Sequence, residues 1–355
     1  MRGKRGAVAD AVATSASRAI EAVRPALSAG GWRLAAASGI ATGLAVSPVI
    51  ASGEGPVRPL IGLACVLVLL VRGRRLGAAG ALLVVGAGLL VGLSAGNARL
   101  AAIDEAALRL EAGSRVRLAG TVETAPRLSR GVARFLFDSE EGRVMVESRV
   151  PVAGLAVGSG VIVAGQIRPP PDWYRPNLVR QGVTMVLSAR SVVPAGEDRG
   201  GLAGLVDGLR IRAESALGRS MPARETALAR GFVLGQDQEI DPVTVADFQT
   251  SGLAHLLAVS GQNVVLLALL GVGVMALAGI GHHVRLVVLA VSILLYVPLA
   301  GGGPSIQRAG VMGLAGLAAL AASRPASRVF VLALAVAVTL LINPRAAADV
   351  GWQLS

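Results

Sequence analysis

The sequence predicts a multi-pass α-helical membrane protein with an inserted, small extracytoplasmic β-barrel domain. Hydrophobic residues make up 53% of the 355 residues and charged residues only 16%, whereas soluble domains average about 25% charged residues. Long apolar runs occupy the two parts of the chain that flank a strand-like middle region. The apolar excess consists of Ala, Val, Leu and Gly rather than aromatic residues, a composition typical of closely packed helices in lipid.

The N-terminal region contains a basic segment followed by three apolar runs. Residues 1–31 are predicted to be cytoplasmic, and residues 32–96 are predicted to form about three membrane helices, at Leu34–Ala51, Leu60–Val71 and Leu76–Ala95. The first and third runs approach the ~20 residues that cross a bilayer, and the second run is short. Arginines crowd the link between the second and third runs, so the positive-inside rule places this link and the N-terminus in the cytoplasm.

The middle region, residues 113–195, is predicted to be a water-facing β domain. Apolar and polar residues alternate in five short runs, so each strand has one buried face. Five strands in about 80 residues suit a small closed barrel, and the OB-fold is the commonest barrel of that size. An SH3-like barrel and a small sandwich stay open as alternatives. The predicted strands are Arg115–Glu123, Ala133–Asp138, Arg143–Ser148, Gly160–Arg168 and Gly182–Val193.

The C-terminal region consists of an amphipathic connector and a second group of apolar runs. Residues 201–250 are too polar to span a bilayer, and we interpret them as a solvated helical connector. The alternative is that these helices lie at the outer membrane surface or against the barrel. Residues 252–355 contain the second helix group, and the charges of its loops again place the β domain outside the cytoplasm. The predicted helices are Leu253–Ile280, Leu286–Ala300, Ile306–Ala322 and Val329–Ile342.

Polar side chains interrupt the start of the second helix group. Such groups at membrane depth face a bundle interior or a wet cavity, and they mark functional sites by default. The alternative is that they only form hydrogen bonds that hold neighbouring helices together. The residues in this first motif are His255, Ser260, Gly261, Gln262 and Asn263.

Two further polar motifs follow in the same helix group. The second motif contains Pro304, Ser305 and Arg308 after a Gly-rich break, and Arg308 is the best candidate for contact with a polyanion. Its alternative is to extend towards the outer interface, because it lies near the start of its helix. The third motif contains Asp349 and Gln353. For Asp349, a structural ion pair with Arg308 on the external side and a direct functional role are both open.

The sequence argues against several kinds of chemistry. The His residues lack the ligand spacing of a zinc site, so we expect neither a metal nor another cofactor. The chain lacks a Walker loop, so an energy source must come from a partner. An intramembrane hydrolase with Ser260 as nucleophile and His255 as base is a rival hypothesis. Side chains five residues apart on one helix diverge by roughly 140°, so this pair meets only if the helix breaks.

The three motifs resemble those of the ComEC family of competence proteins. The stretch Ser251–Val264 is similar to the family core Gly-x-x-His-Leu-Leu-Ala-x-Ser-Gly, Gly303–Ala309 to Pro-Ser-x-x-Arg-Ala, and Asp349–Ser355 to Asp-x-Gly-aromatic-Gln-Leu-Ser. The resemblance implies a channel through which single-stranded DNA crosses the cytoplasmic membrane during natural transformation. It also implies, as partners, the lipid bilayer, a cytoplasmic helicase or motor, and DNA-receptor competence proteins, while homo-oligomerisation stays open.

This chain departs from the family pattern at two points. Many family members have His where this chain has Asn263, which puts a proton or metal role at this position in doubt. The family usually continues into more helices and often into a metallo-β-lactamase-like domain that is taken to degrade one DNA strand. Because this sequence ends at Ser355, inside the third motif, we expect a truncated chain without nuclease activity.

The predicted β domain carries candidate DNA-binding residues. It contains twelve Arg and eight Asp plus Glu between Gly113 and Gly200, within a chain of net charge +12. Arginines suit a phosphate backbone, and aromatic side chains stack on bases, as in OB-folds that bind single strands. Transport or export of another polyanion is the alternative function. The candidate residues are Arg115, Arg117, Arg134, Arg143, Trp173, Tyr174 and Arg175.

Overall fold

The computed structural model describes residues 31–50, 78–107, 111–129, 131–152, 154–236, 240–253, 261–323 and 327–354. The predicted run Leu60–Val71 and the motif residues His255 and Ser260 lie outside these residues. The described residues form two compact units. The first unit extends to Leu100 and includes the described part of Ala326–Pro344, and the second unit contains the rest.

Helices flank a block of strands in the chain order of the elements. In the N-terminal and middle parts they are α1 (Gly31–Ile50), α2 (Ala78–Ala107), β1 (Arg115–Val122), β2 (Arg127–Ser129), β3 (Val132–Ser139), β4 (Gly142–Ser148), β5 (Gly160–Arg168), α3 (Arg175–Arg180) and β6 (Val186–Pro194). The elements that follow are α4 (Gly201–Ser220), α5 (Ala223–Leu234), α6 (Pro242–Thr250), α7 (Gly261–Leu277), α8 (His282–Leu299), α9 (Pro304–Ala321), α10 (Arg328–Ile342) and α11 (Val350–Leu354).

Glycines bring α1 and α2 into backbone contact in the first unit. Gly39 and Gly43 of α1 face Gly88 and Gly92 of α2, and a Cβ atom at any of the four would overlap main-chain atoms of the other helix. Both helices therefore carry the Gly-x-x-x-Gly spacing that allows close packing in membranes. The contacts advance along both helices together, so α1 and α2 run in the same direction, as expected of the first and third of three successive spans.

Apolar helices of membrane-spanning length occur in both units. Among the described residues, three helices are long and apolar enough to cross a membrane: α1, the Gly80–Glu105 part of α2, and α8. The helices α7 and α10 are apolar but shorter. The helix α9 is not among the long apolar ones, because Gln307 and Arg308 near its start lower its mean hydropathy. The prediction of several membrane helices is confirmed to this extent, and their multi-pass topology stays a prediction.

The strands form a closed five-stranded barrel in the second unit. Its strands follow the order β1, β5, β6, β4 and β3, and β1 pairs back with β3. The pairing between β4 and β6 is parallel, and the other pairings are antiparallel. This closure agrees with the predicted OB-like barrel and excludes the sandwich. The interior is apolar and includes Phe135, Phe137, Val144, Val161 and Ile167.

Two short elements of the barrel were not predicted. The strand β2 pairs with β3, and the six-residue helix α3 lies in the loop between β5 and β6. Leu178 of α3 packs with Leu136 and Met145, which point outward from β3 and β4. The predicted fifth strand begins later than expected, because α3 and the left-handed Gly182 precede it. As a result, α3 covers the outer face of β3 and β4.

The remaining helices complete the second unit, except for α10. The predicted connector forms α4, α5 and α6, and the core between α7, α8 and α9 includes Val264, Ile293, Tyr296 and Ile306. The helix α10 lies within the predicted domain 252–355, but it belongs to the first unit, where it packs against α1. Short turns join α7 to α8 and α8 to α9, so successive helices reverse direction.

Candidate functional site

The three polar motifs meet at the start of α9. Gly261, the first residue of α7, lies so close to α9 that an added Cβ atom would come within 2.9 Å of the Ala309 Cβ. Arg308 extends from α9 to Trp352 of α11. The described parts of the first and third motifs therefore contact the second motif, and we call this contact region the motif junction (Gly261–Asn263, Pro304–Ala309 and Asp349–Gln353).

Arg308 is buried at the motif junction, with only 8% of its surface exposed. Its guanidinium donates a hydrogen bond to the main-chain oxygen of Trp352 at 2.9 Å and lies over the indole ring at 5.3 Å from the ring centre. The predicted ion pair with Asp349 is wrong. Asp349 instead accepts a hydrogen bond from the Trp352 N–H at 2.9 Å and caps the start of α11. Both side chains thus hold the same short helix.

Main-chain carbonyls also hold the amide side chains next to the Gly-rich turn. Gln307 donates to the Gly302 oxygen at 2.6 Å, and Gly302 has a φ of 59°, which favours glycine. Pro304 occupies the first turn of α9, where the missing N–H costs no helical hydrogen bond. Gln353 is exposed and donates to the Ala347 oxygen at 2.8 Å. Ser305 is half-buried beside this turn.

Asn263 and Tyr296 hold the C-terminal end of α5. The Asn263 amide donates to the Phe232 oxygen at 2.6 Å, and the Tyr296 hydroxyl donates to the Val233 oxygen at 2.9 Å. Carbonyls in the last turn of a helix lack intrahelical donors, so these two side chains satisfy groups that would otherwise be unpaired. Asn263 therefore acts as a hydrogen-bond donor to the connector, whereas its neighbour Gln262 is exposed.

Arg210 joins the connector helix α4 to the C-terminal end of α8. Only 8% of its surface is exposed, and it donates to the Pro298 oxygen at 2.7 Å and to the Leu299 oxygen at 3.1 Å. Burial lowers the pKa of the Arg210 guanidinium, and the carboxylates of Asp207 and Glu214 act in the opposite direction. The interpretation of the connector as simply solvated is therefore wrong, because one face of α4 is fixed to the apolar helices.

The same face of α4 is also fixed to the chain segment that follows the barrel. Asp207 lies one turn before Arg210 and is 5% exposed. It accepts two hydrogen bonds from Arg199, each of 2.9 Å, and also lies against Gly158 in the loop before β5. Such two-pronged pairs between Arg and a carboxylate are among the stronger side-chain interactions. The helix α4 thus connects the barrel to the end of α8.

Sequence reasoning missed Arg210, Asp207 and Tyr296. A charged pair three residues apart places both side chains on one helix face, and a lone tyrosine in an apolar run needs a partner for its hydroxyl. These signals identify the side chains as candidates for buried contacts. They do not identify the partners, because the acceptors for Arg210 and Tyr296 are main-chain carbonyls.

Two predicted DNA-binding residues of the barrel are already paired with carboxylates. Arg134 bonds Glu147 at 2.7 Å across β3 and β4. Arg143 forms an ion pair with Glu123 and donates to the Gln181 oxygen at 3.0 Å. Their charges are partly neutralised in this structure, and their contact with a phosphate backbone stays a prediction.

The other predicted DNA-binding residues differ in exposure. Trp173 is 77% exposed, whereas Tyr174 is half-buried against the cluster of Leu136 and Leu178. Arg175 is exposed and pairs with Asp172 at 3.3 Å. Arg115 and Arg117 are exposed on β1. In the part of the chain that the structure describes, no group of three or more His, Cys, Asp or Glu side chains is arranged to hold a metal ion.

Comparisons with known proteins concern mainly the C-terminal part of the chain. Residues 232–355 match the family described as "Competence protein", and this region contains α7, α8, α9 and all three polar motifs. The chain is also similar to the protein named "ComE operon protein 3" from Bacillus subtilis (strain 168), with 29% identity over 135 residues. That match covers 38% of this chain and 17% of the relative's length.

Proposed function

Because the chain belongs to the ComEC family of competence proteins, we propose that it takes part in DNA uptake during transformation, within the channel that moves single-stranded DNA across the cytoplasmic membrane. The family match of residues 232–355 supports the biological role. The structural observation that carries the proposal is the convergence of three polar motifs at the start of α9. Polar groups inside apolar helices are costly and are typical of transport paths.

The residues of the motif junction have different roles in this proposal. Asn263 and Arg308 hold α5 and α11 in place by hydrogen bonds, so they position the wall of the path. Gln262 is exposed and is the described residue of the first motif that is best placed to contact a passing strand. His255 and Ser260 stay predicted pore residues. Neutral polar groups replace water around a moving polyanion without holding it tightly.

The barrel and the partners complete the proposal. The barrel is extracytoplasmic in this scheme and meets incoming DNA before the helices do. A cytoplasmic helicase or motor supplies the energy, and DNA-receptor proteins deliver the strand. The chain itself contributes to the path that the DNA follows.

A substitution at Arg308 tests the role of the motif junction. Arg308→Gln removes the guanidinium that donates a hydrogen bond to the main-chain oxygen of Trp352. Because a hydrogen bond from a charged group contributes about 1.5–3 kcal/mol, we expect the number of transformants to fall roughly tenfold or more. The matched control is Arg328→Gln, which changes an exposed arginine at the start of α10. The measurement is the number of transformants at equal amounts of membrane-inserted protein.

The outcomes of this experiment separate the proposed function from its alternative. Equal transformation by Arg308→Gln, Arg328→Gln and unsubstituted protein would exclude a role of the junction in DNA uptake. If deletion of the whole protein also left transformation unchanged, transport of another polyanion would become the better explanation. Loss of transformation by Arg308→Gln alone supports the proposal.

A further inference from the structure

Arginines are concentrated on one outer face of the barrel. The strands β1, β5 and β6 contain no Asp or Glu. Their outward positions carry four exposed arginines, which we call the arginine face: Arg115, Arg117, Arg168 and Arg190. Alternation along the strands places these side chains outside, because Leu118, Val163 and Leu187 fill the interior.

Strand pairing brings the members of the arginine face together. Arg115 lies opposite Gln166 on β5, and Arg117 lies opposite Ala164. Gly165 pairs with Ala189 and Ala164 pairs with Ser191, so Arg190 is the extra residue of a bulge in β6. Residues two apart in a strand are separated by about 6.8 Å, so Arg115 and Arg117 form the start of a regular row.

The arginines of this face are held differently from those on β3 and β4. Within the described residues, no carboxylate forms an ion pair with Arg115, Arg117 or Arg190, and Arg168 contacts only the neutral Gln166, at 3.4 Å. On β3 and β4, by contrast, Arg134 pairs with a carboxylate, and α3 covers the sheet. The two faces of one barrel thus differ in both charge and access.

We propose that the arginine face is the surface on which the barrel binds the phosphate backbone of single-stranded DNA. This inference rests on the proposed function and gives it a location. OB-folds ordinarily bind along their second and third strands, which here are β3 and β4 beneath α3. The arginine face lies on other strands and presents guanidinium groups, which bind phosphates. We therefore expect binding there to be independent of base sequence and sensitive to salt.

The surroundings of these arginines favour a nucleic acid over a lipid surface. Gln166, Ser188 and Ser191 lie among them and supply neutral hydrogen-bond donors, which are common partners of phosphate oxygens. Surfaces that enter a bilayer interface combine cations with large apolar side chains. Among the described residues of β1, β5 and β6, Val193 is the exposed large apolar side chain, at 51%, whereas α4 exposes two leucines, Leu202 and Leu205, at 84% and 66%.

The experiment measures binding of a fluorescent oligothymidylate to the full chain in phosphatidylcholine nanodiscs at several salt concentrations. For Arg115→Gln combined with Arg117→Gln, we expect roughly tenfold weaker binding at low salt and a salt slope smaller by about 1.4, since each phosphate contact to a single strand contributes about 0.7. Arg212→Gln with Arg219→Gln removes two exposed charges from α4 and is the matched control. Arg115→Lys with Arg117→Lys should retain the slope.

Each outcome bears on the inference. The arginine face would be refuted as the DNA surface if the Arg115/Arg117 and Arg212/Arg219 double Gln variants lost oligothymidylate binding equally. It would also be refuted if the unsubstituted protein did not bind oligothymidylate. The proposed function is decided separately, by transformation with Arg308→Gln. Displacement of the oligonucleotide by phosphatidylglycerol vesicles, at the phosphate concentration at which unlabelled oligonucleotide displaces it, would identify a lipid-binding face and overturn the inference. The inference is supported if the Arg115/Arg117 double Gln variant loses oligothymidylate binding, the double Lys variant retains the salt slope, and vesicles do not displace the oligonucleotide.

Discussion

Buried arginines in the helical part of the second unit and exposed arginines on the barrel have opposite surroundings. Arg210 and Arg308 are each 8% exposed and donate to main-chain carbonyls. Arg115 and Arg117 are exposed and have no carboxylate partner among the described residues. The buried pair is therefore suited to hold segments together, and the exposed pair is suited to bind an anion. Both the buried and the exposed arginines contribute to the net charge of +12, so this charge does not by itself indicate one role.

Removal of Arg210 is expected to have the largest effect on stability. Arg210→Ala leaves the Pro298 and Leu299 carbonyls without their side-chain donor and removes the cation beside Asp207. Two hydrogen bonds from a charged group suggest a loss of roughly 3 kcal/mol. The measurement is thermal unfolding of the full chain in detergent, followed by circular dichroism.

The neighbouring arginine provides the control for this prediction. Arg212 lies on the exposed side of α4, so Arg212→Ala should leave unfolding nearly unchanged. Equal destabilisation by the two substitutions would contradict a fixing role for Arg210. It would also remove the distinction between the buried and the exposed arginines.

A substitution at Asn263 tests, with a smaller expected effect, whether side-chain donors to main-chain carbonyls hold segments together. Asn263→Leu removes the donor to the Phe232 oxygen, and we expect the free energy of unfolding to fall by about 1–2 kcal/mol, because a partly buried carbonyl loses its side-chain donor. Asn263→His keeps an N–H donor in either protonation state and should be milder. Unfolding of both variants in detergent is the measurement. A larger loss with His than with Leu would exclude the capping role.

The sequence predicted those parts of the molecule that depend on periodicity. Alternation in Arg115–Glu123 and Gly160–Arg168 identified two barrel strands almost to the residue, and the apolar runs identified α1, α8 and α10. The three polar motifs were identified as candidate functional residues of one helix group, and the structure adds that their described parts are in contact. Hydropathy and alternation are local properties, so they can be derived from a single sequence.

Partners that are distant in sequence were not predictable in the same way. Arg308 was expected to meet Asp349, but it donates a hydrogen bond to the main-chain oxygen of Trp352, a group that any residue can provide. The pairing of Arg134 with Glu147 depends on the register of β3 and β4, and the sequence does not specify register by itself. The short helix α3, which closes the outer face of these strands, is too brief for a periodic signal.

Arg134 gives the smallest expected effect and sharpens the contrast between the two barrel faces. The ion pair with Glu147 is about one third exposed on both sides, so Arg134→Gln should cost about 0–1 kcal/mol. It should also leave oligothymidylate binding and its salt slope unchanged, because this arginine is already paired on the face that α3 covers. A loss of binding as large as that of the Arg115 and Arg117 pair would show that pairing with a carboxylate does not prevent a phosphate contact. The two faces would then no longer differ in the availability of their arginines, and the remaining difference would be that α3 covers β3 and β4.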